Sequence, residues 1–496
     1  MLCCAVLQAV AQIEVRTEAQ FTGAFGDHAP LWLNANKYGL GSVDSLSGYV
    51  RAGLFRSIEQ DSARRWGWGG GIDVAVGRGL GSNVILHQAY GEVRWLKGML
   101  TLGSKEQPLE LKNQALSSGA QTLGVNSRPV PGVRLSLPDY WTIPFTRGLL
   151  ALKGHIFYGM QTDDNWQRQF TTPDAPRTVH TKIHTKAGYL RVGRPDKPLT
   201  IEAGLEMGTQ YGGTSYTYSQ GRSQVLLNSD GINGMLRAFF PGGGEKNDAN
   251  YHNANGNHLG SWLLRVNYDK PSWGVSLYAD HYFEDHSAMF LLDYDGYGHG
   301  KEWDERKENR YFMYQMKDMM LGLEFRLHDF RYVNAVVLEY IYTKYQSGPM
   351  YHDHTPTMSD HVSGLDDYYN HYIYTGWQHW GQVIGNPLYR SPLYNTDGHI
   401  RTENNRFWAW HLGVNGQPSE RLSYRMLATL QRGWGTYHQP LTDPCYNVSL
   451  LLEGEYRLPY DGWSVKGAVG ADLGELLGDN LGLQLTVAKR FNLKKR

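Results

Sequence analysis

Long apolar runs are missing from this 496-residue chain: none reaches the roughly 18 residues that a membrane-crossing helix requires. That excludes an inner-membrane protein. It does not exclude a β-barrel, whose strands meet lipid only at every second residue and keep a low average hydropathy. The mean hydropathy of -0.49 therefore says nothing against membrane insertion. Charge is scarce as well, at 19% of residues against the roughly 25% of soluble domains. With 48 basic and 48 acidic residues the formal net charge is zero, which offers nothing to nucleic acid. There are three cysteines. Cys3 and Cys4 lie in the first few residues, so loss of a leader would leave Cys445 alone and no internal disulfide. Nucleophile elbow, phosphate loop and HExxH are all missing, and an enzyme is not expected.

What is abundant is glycine (58 residues), tyrosine (33) and tryptophan (15), a composition of many strands, tight turns and aromatic girdles. Alternation of period two recurs over windows of about ten residues, the length of a tilted membrane strand. Leu199, Ile201, Ala203, Leu205 and Met207 share one face; Thr200, Glu202, Gly204, Glu206 and Gly208 share the other. One face suits lipid and the other, with its carboxylates, a wet lumen. Similar runs lie at 273–283, 321–328, 422–431, 446–455 and 463–472, with weaker ones near 47–58, 70–77, 83–95, 98–104, 148–160, 182–193, 259–268, 331–345 and 406–415. The last run sets Leu481, Leu483, Leu485, Val487 and Phe491 on one face, the pattern by which barrel-assembly machinery recognises its clients, followed by a short basic tail. A soluble β-sandwich rarely needs so many uniform strands or so many inward charges. The fold class expected is all-β: a transmembrane antiparallel barrel of about 16–18 strands. It forms one domain over 13–496, behind a leader at 1–12 whose apolar part is Leu2–Ala11.

Strand periodicity fails in four places. Residues 105–146 contain Pro108, Pro129, Pro131, Pro138 and Pro144, and proline cannot donate to a ladder, so an irregular or partly helical insertion closing the lumen is expected. Residues 212–257, 284–318 and 346–405 read as long loops, which in barrels are extracellular or fold inward.

His352, Asp353, His354, Asp360 and His361 are metal-ligand types at no standard spacing, and a solvated loop explains them better. Asp280, His281, Glu284, Asp285 and His286 suggest acid–base chemistry, but strand alternation separates their side chains, and lumen polarity explains them. No metal or cofactor is expected. The segment 367–390 sets the aromatic faces of Tyr374, Trp377 and Trp380 beside Asn370 and Gln378, a combination suited to stacking and hydrogen-bonding sugar rings; an aromatic girdle or loop packing accounts for it equally. Lys105, Lys112, Arg128 and Arg134 would favour an acidic polymer.

Residues 30–45 (PLWLNANKYGLGSVDS), 116–133 (LSSGAQTLGVNSRPVPGV), 143–148 (IPFTRG), 255–262 (NGNHLGSW), 282–288 (YFEDHSA) and 368–388 (YYNHYIYTGWQHWGQVIGNPL) lie in an order that resembles the Wzi-type capsule assembly family of outer-membrane proteins. The resemblance implies an eighteen-stranded barrel in a Gram-negative outer membrane, helical segments closing its periplasmic end, and a lectin-like, non-catalytic hold on capsular or other surface polysaccharide. A porin or substrate-selective channel is the alternative, and a lumen filled by 105–146 would argue against it.

Overall fold

In a computed structural model describing residues 12–219, 222–240, 256–284, 317–346 and 366–493, with a few between 289 and 307, eighteen strands close into one antiparallel barrel. The first six are β1 (Ile13–Phe25), β2 (Leu46–Arg56), β3 (Trp66–Arg78), β4 (Val84–Trp95), β5 (Gly98–Ser104) and β6 (Gly132–Thr142). β7 (Leu150–Met160), β8 (Lys182–Val192), β9 (Leu199–Tyr211), β10 (Asn257–Asp269), β11 (Trp273–Glu284) and β12 (Met319–Leu327) follow. The circuit ends with β13 (Ala335–Tyr342), β14 (Phe407–Gly416), β15 (Leu422–Gly435), β16 (Pro440–Arg457), β17 (Trp463–Gly474) and β18 (Asn480–Leu493). β18 returns to β1, from Ile13 opposite Leu493 to Phe25 opposite Leu481, so no sheet edge is left open.

The outward faces are apolar. Phe21, Val50, Leu100, Leu135, Leu277 and Leu485 are all exposed, while Glu206, Ser276, Thr429 and Asp472 are buried inside. Such a surface would aggregate in water and is what a hydrocarbon layer requires. Ile13 and Leu493, which face each other across β1 and β18, lie at the end of the short connections, such as the turn between Trp95 and Gly98 and that between Asp269 and Trp273. Around that end stand Trp66 and Trp95, stacked at 5.9 Å, with Trp141 and Trp463, an interfacial girdle. All long connections emerge at the opposite end. Short turns are periplasmic in bacterial barrels, so the long ones face the exterior.

Two strands escape the periodic reading. β1 presents Thr17, Ala19 and Gly23 outward among its apolar residues, which blunts its alternation. β6 runs through Pro138, where the ladder to β7 shifts register between Leu137 and Trp141, so the proline occupies a bulge that needs no donor.

Three segments fold from the exterior end into the lumen: 26–45, carrying α1 (Leu31–Asn34); 105–131; and 366–406. The insertion expected over 105–146 is thus corrected in extent, since 132–142 is barrel wall. It is corrected in kind as well, since 105–131 holds no helix. Nor does a helical bundle close the periplasmic end among the described residues. One turn of 3₁₀ helix, Ile58–Asp61, lies there, in the β2–β3 connection. Helix is replaced by irregular chain because prolines and short polar side chains let the backbone bond to the wall instead of to itself. Two further helices lie near the exterior end, α2 (Asp164–Phe170) and, outside the barrel, α3 (Gly231–Phe239).

Candidate functional site

The lumen wall holds the plug by its carboxylates. Glu339 on β13 accepts from Ser117 Oγ at 2.5 Å, from Ser118 N at 2.8 Å and Oγ at 2.5 Å, and from Tyr278 OH at 2.6 Å. Glu324 on β12 pairs with Arg265 at 2.5 Å and accepts from Asn113 at 2.9 Å; Arg265 in turn donates to Leu111 O at 3.1 Å. Asp280, on β11, binds Lys112 at 2.7 Å and Gln121 N at 3.0 Å, with both charged side chains at most 1% exposed. Deeper still, Arg425 near the periplasmic start of β15 donates to Ala115 O at 3.0 Å, and His411 bonds Leu116 O at 2.9 Å. The plug therefore reaches past the middle of the barrel. The acidic run around Asp280 is an anchor, not an acid–base pair; Asp285 and His286 lie outside the described residues, as do 352–361 and the leader residues 1–11.

The segment 366–406 seals the plug from above. Trp377, predicted as a stacking platform, is fully buried. Its Nε1 donates to Thr122 O at 2.8 Å, and its ring lies so close over Gly208 that no side chain fits there. Gln378 is also buried, donating to Asp163 at 3.1 Å. These two and Lys112 hold the plug together and present no surface to a polymer. Of the two courses open to the long loop 346–405, its described part folds inward: Tyr368, Tyr369 and Tyr389 are buried, with Tyr369 and Tyr389 stacked at 4.0 Å. The sequence offers no local sign of this, because their partners come from β11, β14 and the 105–131 segment.

Asn370 and Tyr374 lie elsewhere, although Tyr374 is itself buried, at 4% exposure. They line a cleft of ≈ 420 Å³ at the exterior end, with Asp367, Tyr372, His399 and Arg401 among its other walls. Tyr372 is 64% exposed, and its ring stacks on His371 at 4.6 Å and 25°. His371 also leans on Tyr374 at 5.3 Å. Asn370 spends its amide on Asp367 at 3.0 Å and on Thr402, fixing the cleft floor. Tyr372 and Arg401 went unnoticed in the sequence, although Tyr372 falls inside the aromatic segment.

His371 Nδ1 accepts from Ile373 N at 3.0 Å and Tyr374 N at 3.3 Å, which requires a neutral ring. Burial pushes its pKa down to about 3. Because the unfolded value is higher, at about 6.5, the opened loop binds the proton first as pH falls. This contribution to loop stability is complete above about pH 6.5 and is lost as the pH falls towards 3. Hydrogen-exchange protection at 366–376, taken relative to the intrinsic rate at each pH, is expected to fall over that window, and His371→Asn to flatten the dependence; identical protection profiles for both proteins would remove His371 as the cause.

Lys105, Arg128 and Arg134 converge on a second, internal cavity of ≈ 140 Å³ between the plug and β5–β9, also lined by Tyr189 and Glu206. Lys105 pairs with Glu92 at 2.5 Å. Arg128 stacks on Trp380 at 4.1 Å and donates to Leu80 O, and its burial lowers its pKa to about 10. Arg134 has no ion pair among the described residues. Trp380 is half-buried, its Nε1 donating to Thr162 at 3.2 Å. The nine predicted residues thus divide into a plug set, an internal basic cavity with Trp380 at its side, and an exterior cleft.

No family model matches the chain, and no curated protein matches it. Among solved structures it is similar to Wzi of Escherichia coli, described as an outer membrane protein involved in group 1 capsule assembly and a carbohydrate-binding β-barrel. The TM-score is 0.56 at 13% identity, covering 96% of this chain and 85% of that one. OprD of Pseudomonas aeruginosa (TM-score 0.44, 10% identity, 98% and 96% covered) and OccAB4 of Acinetobacter baumannii (0.46, 8%, 98% and 100%) also match. The likeness to Wzi is one of fold; the closed eighteen-stranded barrel with its apolar outer face makes the chain a Gram-negative outer-membrane protein.

Proposed function

We propose that this outer-membrane barrel holds polysaccharide at the cell surface, in the attachment or assembly of capsule, and does so without catalysis. The observation behind the reading is an exterior cleft lined by Tyr372, Tyr374, Asn370 and Arg401, directly above a lumen packed with protein. The exposed Tyr372 ring offers a face to the CH groups of sugars, and the Arg401 guanidinium suits hydroxyls and carboxylates. Each contact is weak, but a polymer meets many copies of the barrel, and multivalency makes the hold firm. Wzi, whose fold this chain shares, is described as binding carbohydrate, which supports the same class of ligand here.

A substrate-selective channel is the second reading. It is favoured by a periplasmic vestibule of ≈ 540 Å³ whose walls include Glu18, Arg51, Glu106, Arg425, Glu453 and Lys466, a charged approach suited to a small ionic solute. One preparation tests both. Purified barrel is expected to retain the cell's own surface polysaccharide on an affinity column, Tyr372→Ala to weaken retention several-fold, and planar bilayers to show no steady conductance. Steady single-channel currents with no polymer retention would replace attachment with transport.

A further inference from the structure

The helix α3 lies on the outside of the barrel, and its side chains are arranged the wrong way round for water. Register places Lys182, His184 and Lys186 of β8, and Met207, Thr209 and Tyr211 of β9, on the outward face, because the alternating Thr185, Tyr189 and Glu206 bond inside the lumen. α3 packs on this outward face. Gly234 meets Tyr211, Ala238 O accepts from Thr209 Oγ1 at 3.3 Å, and Met235 O accepts from Tyr158 OH at 3.1 Å. Phe239 O accepts from Lys186 Nζ, with that ammonium 4.6 Å from the Phe239 ring.

The helix turns its small residues to the protein. Gly234 and Ala238 are buried, one turn apart, while Ile232 (76%), Leu236 (54%) and Phe240 (66%) are exposed. At 100° per residue, Ile232, Met235, Leu236 and Phe239 form one flank, and Asn233 and Arg237 form the other. The contacts also descend the wall. Gly234 lies at Tyr211, the exterior end of β9, and Phe239 lies at Lys186, which registers with Met207. Those two points lie about 13 Å apart along the tilted strand, at about 3.3 Å per residue; the helix between them descends about 7 Å, at about 1.5 Å per residue, and the long Lys186 side chain spans the difference. Lys186 would otherwise point an amine at lipid, which is costly, and the helix C-terminus supplies the carbonyl that accepts it.

We infer that α3 is an interfacial helix, seated in the outer leaflet of the membrane with Leu236 and Phe240 in the acyl region and Asn233 and Arg237 towards the headgroups. The occupant of its apolar flank is lipid because that flank is continuous with the barrel's own lipid face, exposed beside it at Ile156, which registers with Lys186, and below it at Trp262 and Leu264. A docked helix of this kind widens the barrel's footprint in one leaflet and fixes its depth in the membrane, beneath the exterior cleft. It stands independently of the polysaccharide reading.

The test uses the full chain with its three cysteines replaced by serine and single nitroxide labels at Asn233, Leu236 or Phe240, in phosphatidylethanolamine–phosphatidylglycerol vesicles. Val50 on the lipid face and Tyr460 in a periplasmic turn are references. Collisions with dissolved oxygen are expected to exceed those with a nickel chelate at Leu236 and Phe240, as at Val50, and to fall below them at Asn233, as at Tyr460. Two outcomes overturn the inference. Leu236 and Phe240 grouping with Tyr460 would place the helix in water. Shielding from both reagents, with dipolar broadening that disappears on dilution with unlabelled protein, would mean that a second copy of the chain covers the flank.

Discussion

Lys112→Ala is expected to release the plug's grip on the wall, costing about 3–5 kcal/mol, because it strands a buried carboxylate. Asp280 is wholly buried; one of its oxygens holds both Lys112 and the Gln121 amide, and the other has no hydrogen-bond partner. Without the ammonium, the site must take up a proton, admit water or let 105–131 move. Lys112→Ala with Asp280→Asn is expected to recover most of the loss, since a neutral amide still accepts from Gln121 N and leaves no lone charge. Hydrogen exchange at 111–122 measures both. If the single and double variants exchange alike, the pair contributes no net hold and the plug rests on Glu339 and Glu324.

Leu205→Arg should impair barrel assembly, whereas Glu206→Gln next to it should not. The two residues differ only in facing. Leu205 points to lipid near the middle of β9, where an arginine costs about 2–4 kcal/mol. Glu206 is buried inside and accepts from Tyr189 OH at 2.7 Å, a bond that glutamine keeps through its carbonyl. Refolding into vesicles, followed by the gel shift between heated and unheated barrel, reads the yield of each. Equal yields would contradict the facing assigned to β9.

Facing was the most legible property of the sequence because it depends on one local rule. Lipid accepts no charge, so Leu199, Ile201, Ala203 and Leu205 announce a wall without reference to any other segment. β6 shows where the rule is overridden: Pro138 reads as a barrier, yet a bulge removes the demand for its missing donor. The plug was legible only as a failure of periodicity. Its path is set by Glu339, Glu324 and Asp280, which on β11–β13 read as ordinary lumen residues until the Ser117, Asn113 and Lys112 groups they hold are known. Trp377 was misjudged for the same reason. An aromatic rich in sugar-binding company cannot be told from a buried one when its seat is Gly208, far away in the chain. Loop position and side-chain chemistry single out Asn370 and Tyr374, and the structure places both on the exterior cleft.

Plug and cleft also divide the work. The buried carboxylates of β11–β13 are spent on holding 105–131, leaving aromatic and polar side chains at the exterior rim to meet the outside. A wall that anchors its own plug through an ion pair whose side chains are at most 1% exposed has little reason to open often. Retention at the surface thus suits the architecture better than transit through it.

The most direct measurement is to delete the gene and divide polysaccharide between washed cells and medium. The attachment account predicts that synthesis continues and the polymer is shed into the medium, and that the wild-type gene restores it to the cells while the Tyr372→Ala gene restores less. Polymer that stays on the cells, together with a fall in uptake of a small ionic solute, would contradict attachment and make the barrel a channel.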